Sequence, residues 1–375
     1  MKKKILAIDQ GEHLGGAERF LSELLTRIGD RYQVGLLTGK NADYHRLYEG
    51  SQVEIIPVSI PRLKPMSVKS LTEYRRTQDA LRKKIQEYSP DLILSNTVRT
   101  HLLISPLAKE YHIPLVWMAH DLTFPGTLLR WFIGYPQAIV SCSRFVEAAY
   151  HSPAKKKSLQ NHVLYPFGID PKHLDRLKKV KREKIIGMVG NFIPWKGQEI
   201  FIRMAHELHS RHPEYRFVII GQSYKGNKES EIFQVDCLRL IDELGMTQAL
   251  QVKANVTDVM KEMATWEVAV HCSTDPEPLG RVILEGMTAG CAVIASRLGG
   301  PSEIIQDQQT GLLIDPNQEN LVQAVSQYIQ HHDIREKIAD QGRQFIEREF
   351  LWKTQIEKFE STVLQCLENG GRSWT

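Results

Sequence analysis

The run Val268-Ala269-Val270-His271, the segment Glu277-Pro278-Leu279-Gly280-Arg281-Val282-Ile283-Leu284-Glu285-Gly286-Met287 and the run Ala292-Val293-Ile294-Ala295 follow one another with only short loops between them. The two outer runs have the length of buried strands and are too short for helices. Apart from the terminal His271 they are apolar throughout instead of alternating, which is the pattern of parallel strands covered on both faces. Parallel neighbours need a crossover, and the middle segment, with a helical period, supplies it.

The same alternation extends outward almost from end to end. Upstream, residues 185–189, 217–220 and 250–252 read as strands, each followed by a helical stretch; further up, residues 4–9, 33–38, 53–58, 91–96, 114–118 and 138–141 do the same. Residues 17–28 and 72–87 place their apolar side chains on one helical face. Repeated β/α units predict the α/β class with doubly wound parallel sheets. The pattern pauses at residues 170–184, a polar stretch with Pro171 and a basic run at 178–184, which reads as a linker. A chain of 375 residues is long for one core and comfortable for two. The expected division is therefore 1–170 and 171–351, with a last helix, residues 352–367, expected to carry the tail (352–375) back onto the first domain.

Composition narrows the function. With 42% hydrophobic and 25% charged residues the chain reads as globular, and no apolar run approaches the roughly 18 residues of a membrane span. The first residues read as a strand instead of a signal peptide. Five widely spaced cysteines with no C-x-x-C pair suggest a reducing compartment, so the expected location is the cytoplasm. Residues 1–180 carry 27 Lys and Arg against 17 Asp and Glu, an excess of +10 within a net charge of +4. Peripheral contact with an anionic membrane leaflet, or with a phosphate-bearing acceptor, would use that excess, although scattered solvated lysines explain it as well. Leu128-Leu129-Arg130-Trp131-Phe132-Ile133 could touch lipid, but reads more readily as a core helix. No aromatic-interleaved basic stretch points to nucleic acid.

If the helix of the middle segment begins near Pro278, Glu277 stands at its mouth, and the amides of Leu279, Gly280 and Arg281 suit a diphosphate. Were both glutamates helical, Glu285 would lie about 12 Å further along, at about 1.5 Å per residue. A nucleotide sugar is about that long, so Glu277 is expected on sugar hydroxyls and Glu285 on the ribose diol. A dipole-favoured acid followed by a solvated glutamate has the same spacing.

This segment, continued by Ala289-Gly290-Cys291-Ala292-Val293-Ile294-Ala295 and Gly299-Gly300-Pro301-Ser302-Glu303-Ile304-Ile305, resembles the E-x7-E signature of the retaining glycosyltransferases of family 4, the glycosyl transferases group 1. The resemblance implies a GT-B fold: two Rossmann-like domains facing a central cleft, acceptor on the N-terminal one and nucleotide-sugar donor on the C-terminal one. Gly190-Asn191-Phe192-Ile193-Pro194-Trp195-Lys196-Gly197 resembles the family's G-R-…-K-G loop, which assigns Lys196 to the diphosphate; the expected arginine is replaced by Asn191, leaving Arg281 as the nearest substitute cation. Gly15 and Gly16 belong to a G-G-x-E loop implied to meet donor phosphate and acceptor. His120, after a strand, is implied to line the sugar subsite, though a lone histidine is often structural. Val256 and Asp258 fall in a loop similar to the one that wraps the nucleotide base, which is equally an N-cap.

The resemblance further implies a metal-independent, retaining transfer from a UDP- or GDP-sugar to a glycan, glycolipid or lipid-linked acceptor in polysaccharide or glycoconjugate synthesis. No D-x-D triplet or metal-ligand spacing is present in the sequence, so no metal or other cofactor is expected. Three alternatives stand beside this: an epimerase or hydrolase on the same fold, a nicotinamide oxidoreductase, which lacks its G-x-G-x-x-G fingerprint, and a non-catalytic sugar-nucleotide binder.

Overall fold

The computed structural model describes residues 2–11, 15–60, 68–122, 137–150 and 160–369. The chain divides into two compact units, one formed by Met1–Pro166 with Lys353–Thr375 and the other by Phe167–Trp352. The division falls at 166/167, slightly before the expected 170/171, and the last helix is shared: Trp352 belongs to the second unit and the rest to the first.

In the first unit, in chain order, come β1 (Lys4–Ile8), α1 (Gly16–Ile28), β2 (Gln33–Thr38), α2 (Ala42–Arg46), β3 (Glu54–Pro57), α3 (Val68–Tyr88), β4 (Leu92–Ser95), α4 (Val98–Glu110), β5 (Leu115–Ala119), β6 (Ala138–Ser141), α5 (Arg144–Tyr150) and β7 (Gln160–Val163). The strands form one parallel sheet in the order β3-β2-β1-β4-β5-β6-β7. The order reverses between β1 and β4, so the ends of these two strands flank the crevice where such sheets hold ligands. Ile8 pairs with Leu37 on one side and Ser95 on the other, which brings the residues after β1 and β4 to the same edge. Leu6, Ile8 and Ile93 pack against Leu103, Ile104 and Leu107 of α4 on one face. Trp117 and Ile139 pack with Val146 and Tyr150 of α5 in a separate cluster.

The second unit holds α6 (Pro171–Leu177), β8 (Glu183–Val189), a 3₁₀ turn (Pro194–Lys196), α7 (Gln198–His209), β9 (Arg216–Ile220), α8 (Lys228–Glu243), β10 (Leu250–Lys253), α9 (Val259–Met263), β11 (Trp266–His271), α10 (Arg281–Ala289), β12 (Ala292–Ser296), α11 (Pro301–Ile304), β13 (Leu312–Ile314), α12 (Gln318–Gln330) and α13 (His332–Glu349); α14 (Trp352–Asn369) ends the described chain. Its parallel sheet runs β10-β9-β8-β11-β12-β13, with the reversal between β8 and β11. Ile186, Phe217, Val268 and Ile294 form the centre of its core, covered by Phe201 of α7 and Leu321 of α12.

Three expectations need correction. The linker at 170–184 is partly ordered: Pro171 sits at the first position of α6, where its missing N–H costs nothing, and Leu174 and Leu177, one turn apart, are buried. The helix expected from Pro278 starts at Arg281, because Gly280 turns left-handed at φ +81° and acts as its N-cap. Strands β7 and β13 were not expected; the first is an edge strand reading Gln-Asn-His-Val and the second spans three residues, so neither gives an apolar run.

Candidate functional site

In the second unit the chemistry gathers at the carboxyl ends of β8 and β11. After β8 the 3₁₀ turn carries Lys196, and Gly197 follows at φ +77°; a Cβ there would stand 2.2 Å from the Cys272 carbonyl oxygen, so only glycine lets the turn lie this close to the end of β11. That approach brings Lys196 to Glu277. Its Nζ lies 2.6 Å from Oε1 and 2.7 Å from Oε2, and the ammonium also stands 4.3 Å from the centre of the Trp195 ring. Glu277 Oε2 is further within 3.0 Å of His271 Nε2 and 2.9 Å of Ser273 Oγ, which donates to it. Burial pushes the Glu277 carboxyl up, but the Lys196 charge and the His271 hydrogen bond outweigh it and hold the group well below the usual carboxylate range.

This differs from the arrangement expected of E-x7-E. Glu277 lies outside α10, bridging to Gly299 in a short parallel pair, so the helical rise does not set its distance from Glu285. Lys196 meets both oxygens of the carboxylate, and His271 and Ser273 both meet Oε2, so Oε1 is the less committed oxygen. Glu285 is held by Arg281, Nε to Oε1 at 3.0 Å, and the Arg281 guanidinium stands 5.6 Å from the Phe167 ring centre. The two residues expected to meet the donor separately are thus an ion pair on one helical face. Leu279 is buried, and Gly280 accepts from the Ile283 amide. Asp258 caps α9 through the Lys261 amide at 3.0 Å and is exposed; Val256 is half-buried just before it.

In the first unit His120 follows β5 and is half-buried, with Nε2 at 3.0 Å from Asn96 Oδ1. Burial lowers its pKa to about 4, against a smaller opposing pull from Asp121. Gly15 and Gly16 open α1; the Gly15 amide donates to Glu18 at 2.9 Å. Glu12, His13, Leu14 and the aromatic-cation segment 128–133 lie outside the described residues.

Sequence reasoning missed His271 and Ser273, and in the first unit Asp9, Tyr44 and Asn96; Glu18, the acid of the G-G-x-E loop, was given no role of its own. Asp9 is fully buried, accepting from Tyr44 Oη at 2.6 Å and from the Gln10 amide at 2.8 Å, and burial nonetheless raises its pKa. Burial and the nearby Asp9 push Glu18 up to about 7. A signal existed: His271 ends β11, while Asp9, Asn96 and His120 come directly after apolar strands, where parallel sheets present ligand-facing groups. Among the described residues no three His, Cys, Asp or Glu side chains are grouped as metal ligands would be, and no helix is long and apolar enough to cross a membrane.

Two parallel-sheet α/β units, each with its polar residues at the switch point, define the GT-B architecture. The profile described as glycosyl transferases group 1 matches residues 169–345, and that of glycosyltransferase family 4 matches 14–171. The chain belongs to the family-4 type of the group 1 glycosyltransferases. The HepE protein of Anabaena, crystallised in complex with UDP, superposes with a TM-score of 0.81 at 22% identity over 97% of this chain and 100% of that one. Sucrose-phosphate synthase from Thermosynechococcus elongatus gives 0.79 at 17% identity, covering 98% and 100%. In sequence, the spore coat protein SA of Bacillus subtilis is 26% identical over 189 residues, 48% of each chain. A D-inositol 3-phosphate glycosyltransferase of Corynebacterium jeikeium is 30% identical over 138 residues, 36% of this chain and 32% of that one. The chain thus spans about half the length, or less, of the curated relatives it matches.

Proposed function

We propose that the chain transfers a sugar from a nucleoside diphosphate donor to a glycan, glycolipid or lipid-linked acceptor, with retention and without a metal, in polysaccharide or glycoconjugate synthesis. The observation that carries this reading is the Lys196–Glu277 pair backed by His271 and Ser273 at the switch point of the second sheet. An ammonium has three donors; two face Glu277, and the third is available to a diphosphate oxygen. The less committed Oε1 of Glu277 can accept from a sugar hydroxyl. The first turn of α10, beginning at Arg281, adds amides with no intrahelical carbonyl to receive them. In the step itself the acceptor oxygen bonds to the anomeric carbon on the face from which the diphosphate leaves, and the acceptor proton passes to the leaving phosphate oxygen. The Lys196 charge offsets the negative charge that develops on the diphosphate, and no separate base is needed. The relatives' names support the donor class: HepE is described in complex with UDP-glucose.

The test is a thermal-shift screen against UDP, GDP, ADP and their sugars, followed by product analysis with and without acceptors, in EDTA and with added Mg²⁺ or Mn²⁺. Transfer that persists in EDTA fits the proposal. Loss in EDTA restored by metal refutes the metal-free step, and sugar release without an acceptor favours a hydrolase.

A further inference from the structure

None of the proposed donor residues lies in the basic run at residues 178–184. In the structure it leaves α6 and enters β8, and its Arg182 meets Arg343 of α13 above Gly290. Nη2 of Arg343 and Nη2 of Arg182 lie 1.7 and 2.4 Å from the point where a Cβ on Gly290 would stand, so the two guanidiniums are immediate neighbours. Gly290, at φ +78°, ends α10 and leaves the space they occupy.

Neither cation is neutralised there. Arg343 Nη2 donates to the Ala289 carbonyl at 2.8 Å and Arg182 Nη1 to the Trp266 carbonyl at 3.2 Å. Among the described residues neither forms an ion pair with a carboxylate, and Arg343 Nε is buried without a partner. Of the acids near Arg343, Glu347 is committed to Lys178 at 2.6 Å, and Asp340 is exposed. Burial, followed by the like charge of Arg182, depresses the Arg343 pKa despite both acids. Lys179 and Lys181, both exposed, precede Arg182 in the chain.

Position separates this cluster from the donor residues. Arg182 directly precedes β8 and Gly290 lies just before β12, at the amino ends of the strands, whereas Lys196 and Glu277 follow the carboxyl ends of β8 and β11. We propose that Arg182 and Arg343 form a second anion site, which takes a phosphoryl group on the sheet edge opposite the donor residues. Two guanidinium forks match the oxygens of one phosphate, and a dianion between them removes the repulsion that the pair otherwise bears. The group can come from a soluble phosphorylated compound or from a phospholipid headgroup.

Melting of the whole chain in inorganic phosphate, against chloride at equal ionic strength, tests this in the wild type, Arg182→Gln, Arg343→Gln and Lys196→Ala. Phosphate should raise Tm by about 2–4 °C in the wild type and in Lys196→Ala, and not in Arg182→Gln. Each variant also removes one hydrogen bond to a backbone carbonyl, Trp266 for Arg182 and Ala289 for Arg343, so the phosphate shift is read against the same variant's melt in chloride. Co-sedimentation with phosphatidylcholine vesicles, with and without phosphatidic acid, separates the sources: binding to the acidic vesicles that Arg182→Gln abolishes assigns a headgroup, and its absence beside an Arg182-dependent shift assigns a soluble phosphate. A phosphate shift that survives in Arg182→Gln, or is lost only in Lys196→Ala, overturns the site, as does no shift in the wild type; loss only in Lys196→Ala would place the phosphate at the donor residues instead.

Discussion

His120 and Asn96, at the ends of neighbouring strands β5 and β4, meet at 3.0 Å between Nε2 and Oδ1. An amide oxygen only accepts, so Nε2 carries the proton and the ring is the neutral Nε2–H tautomer. Asn96 is held this way round because its amino side lies toward Asp9, although Nδ2 finds no partner of regular hydrogen-bond geometry. His120 Nδ1 is buried with no partner among the described residues.

From this, Asn96→Asp should raise the His120 pKa from about 4 toward or above the ordinary histidine value, since a carboxylate then faces the ring. In the wild type the folded pKa lies below the unfolded one. Stability tied to His120 is therefore intact above about pH 6.5 and falls as pH drops toward 4, by roughly 1–2 kcal/mol at pH 5. Histidine-selective NMR titration reads both the tautomer and the pKa; an unchanged His120 pKa in Asn96→Asp refutes the pairing.

Glu18 works in the opposite direction over the same range. Its folded pKa of about 7 exceeds the unfolded value, so its contribution is fully present below about pH 4.5 and is lost as pH rises through 7. Glu18→Gln keeps an oxygen for the Gly15 amide and removes the charge that faces Asp9. The variant should match the wild type at pH 4 and exceed it by roughly 2–3 kcal/mol at pH 8 in urea unfolding. Equal stabilities at pH 8 would show that Glu18 ionises at no cost.

The fold was legible wherever a strand is buried on both faces, because runs such as 185–189 and 292–295 then consist of apolar residues alone. It failed at β7, an edge strand whose pairing on one side leaves its sequence polar, and at α6, where two leucines are too few to show a period. Lys196 and Glu277 in the second unit, and His120 in the first, could be singled out from the sequence as candidates. Their partners were not: Lys196 reaches Glu277 where Gly197 lets its turn lie against Cys272, and His271 and Ser273 meet Glu277 across a loop ahead of the helix, and neither arrangement has a spacing rule. The pairing of Arg281 with Glu285 could have been read, since i and i+4 residues meet on a helix.

Removing one member of the Lys196–Glu277 pair strands the other, since their side chains are only 17% and 13% exposed. Glu277→Ala and Lys196→Ala should each cost about 2–4 kcal/mol of stability at pH 7, and the double variant much less than the sum. The depressed Glu277 pKa means this stability is present above about pH 4.5 and declines on acidification below it. Donor use should weaken by about 1–3 kcal/mol in Glu277→Ala, measured as kcat/KM on protein shown to be folded. Strict additivity in urea unfolding would mean the two charges do not interact.

Arg281, the cation that stands nearest to replace the arginine missing at Asn191, is already engaged by Glu285 at 3.0 Å. The side chains are 15% and 16% exposed, so each screens the other from a shared, partly desolvated setting. If Arg281 serves the diphosphate and Glu285 the ribose, each also orients the other, and their effects on donor binding must be coupled. Arg281→Ala and Glu285→Ala should each weaken donor use by about 1–3 kcal/mol, and the double variant should fall short of the sum by about 1 kcal/mol. Lys196→Ala combined with Arg281→Ala should lie nearer additivity, since Lys196 is bound to Glu277 instead. Donor KM and kcat across both cycles decide the matter. A silent Arg281→Ala beside a crippled Lys196→Ala would leave Lys196 as the cation on the diphosphate and reduce Arg281 to a partner that orients Glu285.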